Sequence, residues 1–286
     1  MSPTPSLDHL ILFLPAAPNN FPTIPSSITK SFTLTPGGTH ADGLTSNTLI
    51  LLADGCYIEL ISFITSSPEK IEKHWWGPDP KRVGWADWCL TTTDSADANY
   101  PRVQETHDKP REGGRQRPDG QSVKWAVTFP SGANGGQKAR GSIPFFCHDV
   151  TPRDLRVPLN AEKTTHPSGV LGVRALSIIV KDEERLEELR EIYNGITGTQ
   201  GEKTASGWTF QLGRVVLGNG LNRGAIVNLR LANDDGEKAK VKERGLGFWY
   251  GDVVLGAKAG GGKEAGQRER VDGAEDNVGG LWIAYE

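Results

Sequence analysis

Apolar residues recur along the chain in short runs that end at Gly, Pro, Asn or Asp, a pattern typical of β-strands. The runs that fit best are residues 7–14, 47–53, 56–64, 85–92, 123–129, 142–148, 173–180, 208–217, 225–231 and 280–285. The pair Asp54-Gly55 between the second and third runs is a turn signal, so residues 47–64 are predicted to form an antiparallel hairpin beside the first strand. Strands therefore dominate the predicted structure.

Helical spacing is clearest after Asp182, a plausible N-cap, where apolar residues recur every three or four positions until Gly198. A second, short helix is predicted over 67–76, and a third is predicted to follow Asp94. The Pro-rich stretch 15–30 favours only a short helix. Helices are thus few and are spread between the strands.

Two stretches, 108–122 and 256–280, are rich in Gly and charge and poor in apolar residues, which predicts flexible surface loops or a lid over a pocket. A unit of strand, helix and further strands recurs from about residues 7, 85 and 173. The Pro-rich stretch 149–170 has no periodicity and indicates a connector. The chain is therefore predicted to be an α+β protein with a paired unit at 1–150, a connector at 151–170, and a further unit at 171–286 with its loop at 256–280.

Composition narrows the function. With 36% hydrophobic and 23% charged residues and a net charge of −3, the chain is globular in composition and has no basic excess for nucleic acid. Cys56, Cys89 and Cys147 lie in apolar runs and are predicted to be buried thiols of a reducing compartment. The N-terminal run is too short for a membrane span, so a cytoplasmic protein with a small-molecule partner is expected, and a homodimer stays open. No phosphate-binding loop, H-E-x-x-H, C-x-x-C or G-x-S-x-G motif occurs.

His9 and Glu59 stand out because each interrupts an apolar strand. An ionised carboxylate in such a strand costs several kcal/mol unless a metal, a cation or hydrogen bonds compensate it. By strand alternation both side chains can point into one concavity. The alternative is structural: His9 hydrogen-bonds a core group and Glu59 lies at a solvated edge.

Other residues could complete a site. His148, at the end of the run 142–148, is the remaining imidazole best placed for a metal with His9 and Glu59, unless it faces solvent or bonds Asp149. Loop residue His40 could reach a ligand. Arg153 and Arg156 could bind an oxyanion or pair with nearby aspartates. The tryptophans could line an aromatic pocket or pack in the core, among them Trp75, Trp76, Trp85, Trp88 and Trp125.

Several segments resemble the glyoxalase-like domain family of the vicinal oxygen chelate superfamily, particularly its fungal members. These segments are LDHLIL, PGGTHADGLTSN, LADGCYIELISF, IPFFCHDVTPRDLRVP and THPSGVLGVRALSIIVKD, within about residues 5–198. The resemblance implies paired βαβββ modules that form cup-shaped mixed sheets, with metal ligands on the first and last strand of each module.

The resemblance implies that His9 and Glu59 are the ligands of the first module. The second module offers Asp87 and Trp88 on its first strand and Cys147 and His148 on its last. A four-ligand site, a three-ligand site and no site therefore stay open.

Members of this superfamily chelate two adjacent substrate oxygens on the metal. We therefore expect a protein that binds a small oxygenated organic molecule, as a lyase, isomerase or dioxygenase dependent on Zn, Fe, Mn or Ni. His9, Glu59 and His148 are the expected metal ligands, with Glu59 also catalytic, and His40, Arg153, Arg156 and Trp88 are expected to contact substrate. The alternative is a metal-free protein that binds or sequesters a small molecule.

Overall fold

The computed structural model describes residues 3–77, 83–117, 119–216 and 220–286, and these residues form two β-sheets with short helices. In chain order the first half contains β1 (Ser6–Phe13), α1 (Ser26–Ser31), β2 (Thr35–Thr39), β3 (Thr45–Leu51), β4 (Tyr57–Phe63), α2 (Pro68–Lys73), β5 (Gly84–Thr91), α3 (Ala96–Val103), β6 (Arg111–Gln116), β7 (Ser122–Thr128) and β8 (Phe145–Asp149). The connector contains α4 (Arg153–Arg156) and α5 (Ala161–Thr164). The second half contains β9 (Val170–Val180), α6 (Glu183–Thr197), β10 (Glu202–Lys203), β11 (Gly207–Gln211), β12 (Ile226–Leu231), α7 (Asp235–Arg244), β13 (Phe248–Ala257), β14 (Arg268–Arg270) and β15 (Leu281–Tyr285).

The first sheet consists of two βαβββ modules joined edge to edge. Its strand order is β2-β3-β4-β1-β5-β8-β7-β6, with β1 parallel to β4, β5 parallel to β8, and the two modules meeting at the antiparallel pair β1 and β5. The second sheet follows the same plan in the order β10-β11-β12-β9-β13-β15-β14. The predicted α+β class with repeated modules in curved mixed sheets is therefore confirmed.

The largest buried cluster lies between the two sheets. It takes Leu10 and Leu12 from β1 and Ile178 from β9, together with Leu189 and Tyr193 of α6. The alternate residues of β1, among them Ile11 and Phe13, belong to a second cluster on the opposite face. Because both faces of this central strand are covered, its apolar run is continuous rather than alternating.

The local predictions agree well with these elements. Residues 45–63 form the predicted hairpin, with Asp54-Gly55 in its turn and β4 beside β1. The Asp182 side chain accepts a hydrogen bond from Arg185 N at the start of α6, and Gly198 ends the helix with φ of 70°. Helices also follow Ser67 and Asp94 as predicted, and the three cysteines are free and buried.

The predicted loop at 108–122 is wrong, since it contains β6 paired along its length with β7. Strand pairing uses backbone groups, so a polar edge strand can form without the apolar alternation that reveals it in a sequence. The stretch 256–280 likewise contains the end of β13 and all of β14, and Asp272 there accepts hydrogen bonds from Gly280 N and Leu281 N. Its flexibility stays a prediction. No helix in the described part of the chain is long and apolar enough to cross a membrane.

Candidate functional site

A cavity of about 290 Å³ opens on the face of the first sheet that points away from the core between the sheets. Both modules contribute to its wall, as does the loop between β2 and β3. The lining includes His9, His40, Asn47, Tyr57, Glu59, Trp76, Gly113, Arg115, Trp125, Phe129, Phe145, Cys147 and Arg156. A concave, mainly apolar cavity with a few converging polar groups is the usual form of a small-molecule site.

Glu59 of β4 is the charged centre of this cavity. Its Oε2 lies 3.8 Å from Nε2 of His9, and its Oε1 lies 3.3 Å from Nε2 of His40 and accepts a hydrogen bond of 2.6 Å from Asn47 Nδ2. Burial raises the pKa of this carboxyl, but the hydrogen bond and charge of His40 and the charge of His9 outweigh it, bringing the pKa to about 2. Glu59 is therefore ionised at neutral pH, and imidazole and amide groups compensate its burial.

Both imidazoles near Glu59 are oriented through their other ring nitrogen. His9 Nδ1 lies 2.7 Å from Asp8 Oδ2, and His40 Nδ1 lies 2.7 Å from Thr45 Oγ1. The His9 ring also stacks on Tyr57, with centroids 4.6 Å apart. The Asp8 carboxylate accepts a hydrogen bond from His9 Nδ1 and thereby fixes the tautomer of His9 with Nε2 available to a ligand, as is common for metal-binding histidines.

Asp8 reaches the same face as His9 because the pairing of β1 with β5 shifts register between Leu7 and His9. Such bulges occur often beside functional sites, where they redirect a side chain. Burial would raise the pKa of Asp8, but the charges of Arg153 and Arg156 hold it well below its usual range. Asp8 therefore stays charged and links His9 to the two arginines.

For Arg153 and Arg156 the sequence left open an oxyanion site or pairing with nearby aspartates, and in the structure both arginines pair with aspartates. Arg156 donates hydrogen bonds to Asp8, to Asp149 and to the Tyr57 hydroxyl, and Arg153 donates to both aspartates and to Gly55 O. Arg156 contributes to the cavity wall, and Arg153 is not part of it. These two guanidinium groups thus support Asp8 rather than present free donors to a ligand.

His148 lies on the wrong face of β8 to share an ion with His9 and Glu59. Phe145 and Cys147 line the cavity, so the alternate residues Phe146 and His148 point to the opposite side, where their rings stack. His148 Nε2 lies 3.0 Å from Thr92 Oγ1, and burial lowers its pKa to about 4. The prediction of His148 as third ligand is therefore corrected by the register of one strand.

Trp88 also lies outside the cavity. Its indole Nε1 donates a hydrogen bond of 3.0 Å to Gly141 O, and its ring packs edge-on against Tyr193 of α6, in the core between the sheets. Trp76 and Trp125 line the cavity instead. The sequence had left open whether each tryptophan lines a pocket or packs in the core, because periodicity does not say which face of a central strand borders a ligand.

The second module supplies mainly apolar groups to the cavity. Asp87, at the ligand position implied for its first strand, accepts a hydrogen bond of 2.8 Å from Trp75 Nε1 and is outside the cavity wall. Burial raises the pKa of Asp87 to about 7. Cys147 and Phe145 occupy the wall at β8. The imidazoles of His9 and His40 and the Glu59 carboxylate therefore come from the first module, while the second module adds the Cys147 thiol and the Glu112 carboxylate to the wall.

Two donor sets around His9 are relevant to a metal. Within the described residues, Asp8, His9 and Cys89 have donor atoms that all lie within 4.8 Å of one another. However, Asp8 is already neutralised by two arginines, and burial raises the pKa of the Cys89 thiol well above its usual range. His9, His40 and Glu59 combine two imidazoles with an ionised carboxylate, donor types that suit a divalent transition metal, although their donor atoms do not all lie within 4.8 Å of one another as those of the first set do. The chemistry of the second set fits a metal better.

Sequence reasoning missed Asp8 and Asn47 and gave His40 only a substrate-binding part. Asp8 directly precedes His9, and Asn47 begins the apolar run 47–53 opposite Ile61 of β4. Polar residues at the ends of apolar strands were a usable signal. No signal in the sequence indicated that His40 lies close to Glu59, because this contact depends on how the loop before β3 folds over the sheet.

The model of the glyoxalase-like domain family matches residues 7–193, and the chain belongs to this family. A hypothetical protein from Staphylococcus aureus has a similar structure, with 14% identity, a TM-score of 0.61 and 98% of each chain covered. A 4-hydroxymandelate synthase variant from Streptomyces coelicolor shows 12% identity and a TM-score of 0.46, covering 90% of this chain and 72% of that one. A xylose isomerase-like TIM barrel/4-hydroxyphenylpyruvate dioxygenase fusion protein shows 8% identity and a TM-score of 0.47, covering 90% and 37%. No curated protein matches significantly.

Proposed function

We propose that the chain is a vicinal oxygen chelate enzyme that holds a divalent metal ion with His9, His40 and Glu59 and acts on a small oxygenated organic molecule. One observation carries the proposal: the Nε2 atoms of His9 and His40 lie against the two oxygens of one ionised, buried carboxylate. Membership of the glyoxalase-like domain family supports the dependence on a metal ion. His40 takes the place that the sequence had suggested for His148.

The bound ion would act as a Lewis acid that polarises substrate oxygens. The residues around it have separate tasks. Asp8 holds the tautomer of His9, and Asn47 holds the carboxylate of Glu59. Trp76, Trp125 and Phe145 enclose an apolar space that orients the substrate and excludes water. A carboxyl with a pKa of about 2 is a weak base at neutral pH, which favours Glu59 as a ligand over Glu59 as a general base.

Metal analysis of protein purified without chelator tests this proposal. We expect about one equivalent of a divalent ion in the wild type and its loss in the variants His9→Ala, His40→Ala and Glu59→Gln. His148→Gln is the matched control, since it changes a buried imidazole on the other face of the sheet and should retain the ion. Circular dichroism would establish that each variant is folded. A wild type that takes up no Zn, Fe, Mn or Ni contradicts the proposal.

A metal-free binding protein is the second candidate function. It is favoured by the apolar side chains that the second module adds to the cavity wall. Phe145 lines the cavity on β8, the last strand of the second module, where the family resemblance implies a metal ligand, and Phe129 and Trp125 add further aromatic surface. Trp76 and Trp125 provide a fluorescence signal for ligands that enter. Ligand binding that is unchanged in Glu59→Gln and in metal-stripped protein would support this candidate over the enzyme.

A further inference from the structure

Strand β6 forms one wall of the cavity, and two glycines in this strand have no side chains that could occupy the cavity. Gly113 and Gly114 both line the cavity, and Gly113 pairs with Trp125 of β7. A Cβ added at Gly113 would lie only 2.5 Å from Trp125 Nε1, so the glycine lets the indole lie against the strand. The two glycines lie between two long side chains of this wall, Glu112 before them and Arg115 after them.

Arg115 lies between the cavity and a smaller basic recess of about 230 Å³. This recess is lined by Arg115, Arg117, Lys163, Asp119 and Arg156, with further residues of β2, β3 and the connector. Arg115 is half-buried and belongs to the walls of both spaces. Its guanidinium is thus positioned where a ligand in the cavity would reach the recess.

The charge of Arg115 is not neutralised by a neighbour. In the parts of the chain that the structure describes, no ion pair or side-chain hydrogen bond engages its guanidinium. The arginines around it differ: Arg117 pairs with Asp119, and Arg156 pairs with Asp8 and Asp149. Burial lowers the pKa of Arg115, while Tyr57 and Glu59 partly offset this effect from across the cavity. A half-buried guanidinium without a partner is a favourable site for an anion.

The aromatic residues of the cavity wall indicate what the uncharged part of the ligand is like. Trp125, Phe129 and Phe145 line the same cavity as Arg115 and Glu59, and flat rings of this kind favour planar apolar groups. The positive charge of Arg115 therefore favours an anionic group on the ligand, and the aromatic surface favours a planar ring on the same ligand. A neutral molecule of the same shape would leave Arg115 unpaired.

We propose that Arg115 is a specificity-determining residue that binds the carboxylate, or a similar anionic group, of an aromatic ligand in the cavity. The inference rests on the proposed use of the cavity as a small-molecule site. It does not need the metal, because the anion contacts β6 and the metal ligands lie on β1, β4 and the loop before β3.

Isothermal titration of the full-length protein with a matched pair of probes, phenylacetate and phenylacetamide, tests the inference. We expect the wild type to bind the carboxylate about tenfold more tightly than the amide, as a charge-assisted hydrogen bond would give. Arg115→Met should remove this preference and leave amide binding unchanged. Arg111→Met is the matched control, because it removes an exposed arginine of the same strand that pairs with Asp108.

Repeating the titration on protein stripped of metal separates this inference from the proposed metal function. A preference that persists after stripping and disappears in Arg115→Met supports the inference even if the wild type binds no metal. A wild type that does not distinguish the two probes overturns it. It is also overturned if Arg115→Met keeps the preference or if stripping alone abolishes it, since the ion would then bind the carboxylate.

Discussion

The two sheets share one topology, but their faces away from the common core differ in the part of the chain that the structure describes: the first carries the cavity around Glu59, and the second is covered by a helix, with a recess of about 590 Å³ beside Trp249. On the corresponding face of the second sheet, Val241 of α7 packs with Ile179 and Trp249 in a separate buried cluster. Helix α2 has the same place in the first half, between the last strand of one module and the first strand of the next, and none of its residues is buried. The equivalent crossover helix therefore packs onto the concave face of the second sheet, whereas in the first half it lies beside the cavity without burying a residue.

The chemistry of the two faces differs as well. No histidine follows His166 in the sequence, so the second sheet has no imidazole. Its strands β9 and β12 bring Ser177 beside Asn228 on the filled face. The second half also passes from β13 to β14 without a helix or a counterpart of β6 in the residues described. We infer that the first sheet carries the site and the second mainly supports it.

The largest effect should come from emptying the filled face. Replacing Trp249 by alanine is expected to lower the free energy of unfolding by about 3–5 kcal/mol, because the deleted ring leaves a cavity in a packed cluster. Trp125→Ala is the comparison in the first sheet, because Trp125 lines the cavity and is half-buried, whereas Trp249 is buried although it borders a recess. Its cost should be clearly smaller in urea unfolding. Equal costs would contradict the distinction between the two faces.

The charge of Glu59 should make the first sheet sensitive to acid. Its folded pKa of about 2 lies below the ordinary 4.5, so the carboxylate stabilises the fold above pH 4.5 and loses this effect as pH falls towards 2. The difference corresponds to on the order of 3 kcal/mol. Urea unfolding of the wild type and Glu59→Gln from pH 7 to pH 2.5 should therefore converge at low pH. Asn228→Ala, on the filled face, should keep the wild-type pH profile; parallel profiles for Glu59→Gln would refute the prediction.

A smaller effect is expected where the two halves meet at the turn of the first hairpin. Asp54 accepts hydrogen bonds from Cys56 N within the turn and from Val173 N of β9. Asp54→Ala should cost about 1–3 kcal/mol of unfolding free energy, because Val173 N is left buried without its acceptor. Asp119→Ala, in another Asp-Gly turn, removes a hydrogen bond from Gln121 N and an ion pair with Arg117, and it should cost less because Asp119 is exposed to solvent. Thermal unfolding of both variants measures the difference, and a larger loss in Asp119→Ala would argue against the link.

The smallest effect should follow from shortening the segment that replaces a helix and strand in the second half. Deleting residues 260–262, which are exposed, is expected to lower the melting temperature by less than about 5 °C. Deleting Gly113 and Gly114 from β6 is the contrasting change, because it disrupts a strand that pairs along its whole length and forms the cavity wall. Calorimetry would compare the two. A large loss from the first deletion would show that the segment contributes to the core.

Local patterns in the sequence determined much of the protein. Apolar runs, the Asp54-Gly55 turn and the caps of α6 act over a few residues, so the hairpin and the clearest helix could be predicted with their ends. The cost of a carboxylate in an apolar strand identified Glu59, and strand alternation placed it with His9 in one cavity. Each of these inferences uses only neighbours along the chain.

Tertiary structure decided the rest of the site. The face of β8 on which His148 lies depends on pairing with distant strands, and a shift of one residue would exchange it with Cys147. The register shift at Asp8, the fold of the loop that brings His40 to Glu59, and the polar strand β6 with its unpaired Arg115 depend equally on partners remote in sequence. Backbone pairing is nearly independent of side-chain type, so no local pattern reveals which groups it will bring together.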